Sequence, residues 1–286
     1  MATKSGFVML AGRSNVGKST LLNALVGSKV AIVTPKPQTT RRPVRGILND
    51  PRGQIVFVDT PGVFIGRTDF VSRRLNEFVK ETLEGVDAIV YVMDPTREPG
   101  IEEEAIRTML QATDVPIIAV VNKSDLPTES RPNRQENLDA DVGQIQTIEI
   151  SAARGSDLNR LTDALFAVLP EGDHMYPDLQ ITDIRHKDWL EELIREKVFL
   201  SLEKELPYTV KVSIDDIEVR EDGSRYVVGT IWTTDERYKR MIIGAKGSKI
   251  KDIGMKARKE LEEALQAKAF LDLTVKVDPK WQERFA

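Results

Sequence analysis

The chain has 286 residues, with 41 Lys+Arg against 45 Asp+Glu, a formal net charge of -4, 41% hydrophobic and 30% charged residues. That length accommodates one large domain or two ordinary ones, and the composition is that of a packed globular chain, neither disordered nor polycationic overall. Cys is absent and His occurs only at 174 and 186, which excludes disulfide frameworks, thiolate metal sites, thiol nucleophiles and multi-His metal centres.

From residue 6 to about 170, short apolar runs alternate with helical patterns. Phe7 to Ala11, Ile55 to Val58, Ala88 to Met93, Ile117 to Val121 and Thr147 to Ile150 read as strands. Ser19 to Val26, Asp69 to Leu83, Glu102 to Ala112, Glu136 to Val142 and Leu158 to Val168 carry apolar residues at helical spacing. Unbroken apolar strands between helices imply a mostly parallel, doubly wound sheet covered on both faces. The stretch from Pro35 to Pro43 holds three prolines and reads as an irregular loop. These elements predict an α/β domain over 1–172, followed by a linker over 173–186.

From residue 187 the pattern changes. An amphipathic helix over Asp188 to Leu206 precedes a strand over Tyr208 to Val219, a turn at Asp222-Gly223, and a strand over Arg225 to Thr233. A helix over Glu236 to Ile243, the loop Gly244-Ala245-Lys246-Gly247, a helix over Ser248 to Lys268 and a strand over Phe270 to Val277 complete a small α+β domain, 187–286.

Gly12-Arg13-Ser14-Asn15-Val16-Gly17-Lys18-Ser19 matches G-x-x-x-x-G-K-[ST], with Thr20 continuing into the helix. A strand precedes the motif and a helix follows it. Glycines let backbone N–H groups curl around a phosphate, the helix start adds its positive end, Lys18 supplies a cation and Ser19 a hydroxyl for Mg²⁺. Asp59-Thr60-Pro61-Gly62 follows a strand, where Asp59 can hold the metal through water and the Gly62 N–H can meet the γ-phosphate. Asn122-Lys123-Ser124-Asp125 follows another strand. A carboxylate accepts from the N1–H and N2 amino donors of guanine, whereas adenine offers no such edge. Ser151-Ala152-Ala153 places backbone N–H groups near the base. Each motif alone can be a solvated turn, but together, at strand C-termini, they imply GTP binding.

Between Glu236 and Lys259 nine basic residues meet only two acidic ones, Glu236 and Asp252. This stretch predicts phosphate attraction through Arg237, Arg240, Lys246, Lys249 and Lys251, with Ile242, Ile243 and Ile250 as a groove for bases. The longest apolar runs fall far short of the roughly 20 residues that cross a bilayer, and the N-terminal apolar stretch is too short for a secretory signal. A soluble cytoplasmic monomer without integral membrane segments is expected, with weak peripheral contact at the inner face of the cell membrane as a lesser possibility for the basic helices.

The nucleotide motifs resemble the five G motifs of translation-factor-class GTPases, and Ile242-Ile243-Gly244-Ala245-Lys246-Gly247-Ser248-Lys249-Ile250 resembles the I-I-G-x-x-G-x-x-I signature of type II KH domains. A P-loop GTPase domain followed by a type II KH domain is similar to the Era GTPase family, a likeness supported by Pro37-Gln38-Thr39-Thr40-Arg41 and Glu205-Leu206-Pro207-Tyr208. The resemblance implies binding of GTP/GDP with Mg²⁺ and attachment near the 3′ end of 16S rRNA during small ribosomal subunit assembly. It also implies closure of Thr40 over Mg²⁺, with Thr39 close behind. Val63 stands where Ras-like enzymes carry a water-orienting Gln, so hydrolysis is expected to be slow or to recruit another group. Asn15, otherwise a turn residue, matches the asparagine that relatives use to hold K⁺, which implies K⁺-stimulated hydrolysis. A different class of reading, an RNA-binding assembly module whose GTP site is regulatory and barely hydrolyses, stands beside this one.

Overall fold

Six strands are laid side by side, and the central ones present apolar side chains to both of their faces. In the computed structural model, which describes residues 2–37, 39–62, 70–138 and 142–284, the chain divides into two units, Met1–Asp183 and Ile184–Ala286. Val63, Phe64 and Ile65, expected to form part of a nucleotide-sensitive segment, and Gln38 lie outside the described residues.

The first unit is a sheet ordered β2-β3-β1-β4-β5-β6. Its strands are β1 (Lys4–Ala11), β2 (Val44–Asp50), β3 (Gly53–Asp59), β4 (Ala88–Met93), β5 (Ile117–Val121) and β6 (Gln146–Glu149). β1 pairs parallel with both β3 and β4, and β5 continues the parallel run to β6. Alternate residues feed opposite cores: Val8, Leu10, Val90 and Val92 on one side, Met9, Ala11, Ile89 and Tyr91 on the other. Helices α1 (Lys18–Val26) and α5 (Leu158–Val168) cover the first face. α2 (Phe70–Leu83), through Val79, and α3 (Ile101–Gln111) cover the second; a short α4 (Arg134–Leu138) precedes β6. The doubly wound, mostly parallel sheet is the expected one.

β2 was not expected. It runs antiparallel to β3, Val44 opposite Asp59 and Asp50 opposite Gly53. Polar Arg45, Asn49 and Asp50 break its apolar pattern, and its Gly46 lets α1 approach: a Cβ there would lie 2.5 Å from Leu22 Cδ1. The free edge of β2 is covered by the segment read as a linker. Gly46 bridges Thr182, the Ile47 N–H donates to Ile181 O at 2.9 Å, and buried Gln54 accepts from the N–H groups of Met175 and Tyr176 at 2.9 Å each. As far as Asp183, which pairs with Arg45 at 2.8 Å, that segment is fastened to the sheet.

The second unit contains α6 (His186–Ser201), β7 (Lys211–Val219), β8 (Arg225–Thr233), α7 (Glu236–Ile243), α8 (Ser248–Leu265) and β9 (Ala269–Val277). β7 pairs antiparallel with β8, which pairs parallel with β9 along its whole length. Leu193, Ile194, Val198, Ile231, Ile242, Ile253, Ala257 and Leu261 share its core. Trp281, silent in the sequence reading, is also buried, and its indole N–H donates to Thr209 O at 3.0 Å.

Candidate functional site

Four nucleotide motifs sit at or just past the C-terminal end of a parallel strand: 12–19 after β1, 59–62 from the last residue of β3, 122–125 after β5 and 151–153 after β6. Parallel strands aim these turns to one side, which is how residues over a hundred positions apart meet. Gly17 has φ of 105°, and a Cβ there would lie 2.3 Å from Asn122 Nδ2. Only glycine therefore fits between the phosphate loop and the base-side turn.

Lys18 is buried and donates from Nζ to the carbonyl oxygens of Gly12 and Arg13 at 2.7 and 2.9 Å. Burial lowers its pKa to about 8, opposed by the carboxylates of Asp59, Glu102 and Glu103. Ser19, Thr40 and Asp59, the three expected metal-binding residues, come together: Ser19 Oγ donates to Asp59 Oδ2 at 2.6 Å and lies 3.1 Å from Thr40 Oγ1, which donates to the same Oδ2 at 3.3 Å. Burial raises the pKa of Asp59, and its Oδ1 is buried without a hydrogen-bond partner. Two hydroxyls and a carboxylate with an orphaned buried oxygen are a hard-oxygen set suited to Mg²⁺ that also meets phosphate. Thr39 faces the other way, donating to Lys36 O at 2.7 Å beside Thr34, so Thr40 is the threonine that reaches this cluster.

On the base side, Asn122 is buried and joins three turns. Its Nδ2 donates to Val16 O at 2.9 Å, and its Oδ1 accepts from the Ala152 N–H at 3.0 Å. A guanine acceptor at this place has to share the Ala152 donor. Ser151 Oγ donates to Asp125 Oδ1 at 2.6 Å, and this bond is the main reason the Asp125 carboxyl is held below its ordinary pKa. Asp125 thus stays an ionised acceptor, with its second oxygen 3.9 Å from Arg154. Lys123 adopts φ of 63° and pairs with Asp94 at 2.5 Å.

Some residues take roles the sequence did not reveal. The Arg13 side chain turns away from the loop interior, donating to Glu98 O at 3.0 Å and approaching Glu102 and Glu103 at 4.0 and 3.8 Å. Arg97 Nη1 donates to Ser14 O at 3.1 Å. The segment 97–103 therefore clamps the phosphate loop from outside. Asn15, φ 65°, donates from Nδ2 to Pro35 O at 2.8 Å, and Ile32 to Pro35 join Thr20 and Gly62 in lining the cleft. The short polar and charged runs involved carry no periodic signal.

In the second unit, Gly244 and Gly247 have φ of 74° and 76°, and a Cβ on Gly244 would sit 3.0 Å from the Lys249 backbone N. Around the loop, Arg237, Arg240, Lys246, Lys249 and Lys251 are exposed, with no carboxylate partner among the described residues. Asp235 caps α7, accepting from the Arg237 N–H at 2.6 Å. Ala245 is exposed within the loop. Ile243 and Ile250 are half-buried at the surface, but Ile242 is fully buried in the core, so it supports the loop from beneath and cannot line a groove. A groove of about 480 Å³ between α8 and β9 is instead lined by Ile250, Lys251, Gly254, Met255, Arg258 and Leu273, among others. Helical spacing marks this face, 250/254 and 251/255/258 falling one above another.

A doubly wound phosphate-loop sheet with a guanine-matched carboxylate, followed by a G-x-x-G fold, defines a P-loop GTPase carrying a KH domain. A family model described as a 50S ribosome-binding GTPase matches residues 7–123, and a KH domain model matches 191–282. GTPase Era of Halothermothrix orenii is 43% identical over 285 residues, covering 99% of this chain and 96% of the relative. GTPase Era of Heliobacterium modesticaldum is 40% identical over 98% of this chain and 94% of its own. Two solved structures each have a TM-score of 0.92 at 35% identity, covering 99% of this chain and 96% of theirs: an Aquifex aeolicus Era variant bound to GDP–AlF4⁻, and Era in complex with MgGDPNP and nucleotides 1506–1542 of 16S ribosomal RNA. The chain belongs to the Era family of GTPases.

Proposed function

We propose that this GTPase is a nucleotide-controlled switch that binds single-stranded RNA at the 3′ end of 16S rRNA and assists small ribosomal subunit assembly as a cytoplasmic monomer. The observation that carries the reading is the near full-length likeness to an Era structure holding both MgGDPNP and that RNA. The unpaired cations around Gly244–Gly247 support it, because exposed Lys and Arg beside a close-approach glycine loop suit a phosphate backbone.

In the first unit, Lys18 Nζ exchanges its two loop carbonyls for phosphate oxygens. Ser19, Thr40 and Asp59 are the residues that would hold Mg²⁺, which supplies charge neutralisation on the phosphates. Thr40 links this point to the loop 27–43, so nucleotide state is transmitted through one hydroxyl. Gly62 brings its N–H to the γ-phosphate, and Gly12 to Gly17 cradle the remaining phosphates through backbone N–H groups. Asn15 donates from Nδ2 to Pro35 O at 2.8 Å, so to hold K⁺ its amide would release that carbonyl and turn its Oδ1 to the cation; equal hydrolysis rates in K⁺ and Na⁺ buffers would sink that assignment.

The test is binding of the intact chain to a fluorescent oligonucleotide of the rRNA 3′ end with GDP or GDPNP bound. Affinity is expected to differ between the two nucleotides, and absence of binding with either overturns the reading. Val63, whose side chain has no hydrogen-bonding atom, favours the second reading, an RNA-binding assembly module whose GTP site is regulatory. Single-turnover hydrolysis with and without the oligonucleotide separates the two. Any contact with anionic lipid would fall on the same cations, but α8 also bears Glu260, Glu262 and Glu263. We infer only weak association there, measurable by vesicle co-sedimentation at physiological salt.

A further inference from the structure

Of the four side chains that the phosphate-loop motif leaves free, Arg13, Asn15 and Val16 meet Glu98, Pro35 and the core, which leaves Ser14. Ser14 is a free position of G-x-x-x-x-G-K-[ST], where backbone N–H groups do the binding and the side chain is arbitrary. In this chain Ser14 Oγ is withdrawn from solvent and has no hydrogen-bond partner among the described residues. The neighbouring hydroxyls differ: Ser19, Thr39, Thr40 and Thr60 all lie within hydrogen-bond distance of protein acceptors. A buried hydroxyl without a partner is unfavourable and invites a function.

Its location narrows that function. A Cβ built on Gly62 would lie 2.7 Å from Ser14 Oγ and 2.7 Å from Ser14 N, so the hydroxyl rests on the α-carbon of the D-x-x-G glycine. Both residues line the same cleft as Lys18, Ser19 and Thr40. The Ser14 backbone is fixed by Arg97, and its neighbour Arg13 by Glu98, Glu102 and Glu103, so the hydroxyl is presented on a held loop. The next side chain after Gly62, Val63, cannot hydrogen-bond to water.

We propose that Ser14 is a catalytic residue of GTP hydrolysis, its Oγ accepting a hydrogen bond from the attacking water beside Gly62. The inference rests on the GTPase reading and deepens it. The water oxygen bonds to the γ-phosphorus as the bond from that phosphorus to the β–γ bridging oxygen breaks, with its electron pair leaving on GDP. The water hydrogen held by Ser14 stays on the new phosphate, the other passes to a γ-phosphoryl oxygen, and Ser14 keeps its own proton. The hydroxyl restricts the water to an in-line approach, an effect felt in the transition state and hardly in the ground state.

The test compares the parent chain with Ser14→Ala and Ser14→Gly in single-turnover hydrolysis, alongside dissociation constants for GDP and for GDP–AlF4⁻. Both variants are expected to bind GDP as the parent does, to hydrolyse at least about tenfold more slowly, and to lose GDP–AlF4⁻ affinity by a similar factor. Ala hydrolysis within about twofold of the parent overturns the proposal. So does a slow Ala variant beside a Gly variant of parental rate, which would make the effect steric. A parent chain that neither binds GDP nor hydrolyses GTP overturns the underlying GTPase reading as well, which separates the two failures.

Discussion

The two binding regions are built on opposite physical plans. In the nucleotide cleft the working groups are buried polar ones, Lys18, Asp59 and Asn122 being at most 6% exposed, and each is held by protein partners. Around the loop proposed to meet RNA the cations are exposed, without a carboxylate partner among the described residues, and Gly244, Lys246 and Gly247 hold positive φ. A small ligand recognised edge by edge requires preorganised groups whose desolvation cost is met within the fold. A polyanion recognised by its charge requires surface cations with long reach, because counterion release supplies the affinity.

The sharpest way to break this contrast is Asp125→Asn. Replacing a carboxylate that accepts two guanine donors should weaken GTP by about 1000-fold and transfer preference to the xanthine nucleotide, with RNA affinity unchanged. Competition of GTP and XTP for a fluorescent nucleotide measures it. Next, Gly244→Asp places a side chain at φ 74° against the Lys249 backbone and adds a negative charge to the loop. It should reduce RNA affinity about 100-fold while the GDP dissociation constant stays put; parallel losses at both sites would erase the distinction drawn here.

A smaller effect concerns protons. With a folded pKa of about 8 against the ordinary lysine value of 10.5, Lys18 loses its proton as pH rises through 8, whereas bound triphosphate stabilises the charged form. GTP binding should therefore take up about 0.8 proton at pH 8.5 but only about 0.1 at pH 7, and affinity should fall as pH climbs above 8. Calorimetry in buffers of different ionisation enthalpy reads this directly, and uptake that is equal at the two pH values contradicts a buried, depressed Lys18. The sign for stability is opposite: the nucleotide-free fold gains stability between about pH 8 and 10.5, where the unfolded chain binds more protons than the folded one. Last, Lys251→Ala should cost RNA binding only a few-fold and lower the log–log salt slope by about 0.7.

Much of the nucleotide site was legible because its motifs are short and each is tied to a strand end. The strands were legible because both faces are apolar, so Ala88–Met93 and Ile117–Val121 fall where the sequence reading places them. β2 was not, since an edge strand beside a polar covering segment lacks that uniform pattern. Ile242 was misplaced for a related reason: helical spacing puts it beside Ile243 in sequence, but α7 rotates the two by about 100° and only Ile243 reaches the surface. The clamp made by Arg97 and Glu98 on the phosphate loop crosses more than eighty residues and has no sequence signature at all.

Local chemistry was thus settled by residue order alone: which turns can curl around phosphate, which carboxylate suits guanine, which glycine loop lets a nucleic-acid backbone come near. The tertiary structure decided everything that depends on distance between remote segments: that Thr40 and not Thr39 joins Ser19 and Asp59, that residues 175–183 close the edge of β2, and that the buried Ser14 hydroxyl is left facing Gly62 without a partner among the described residues. A motif constrains backbone conformation over a few residues, whereas a side chain's partner is chosen by how whole strands and helices pack.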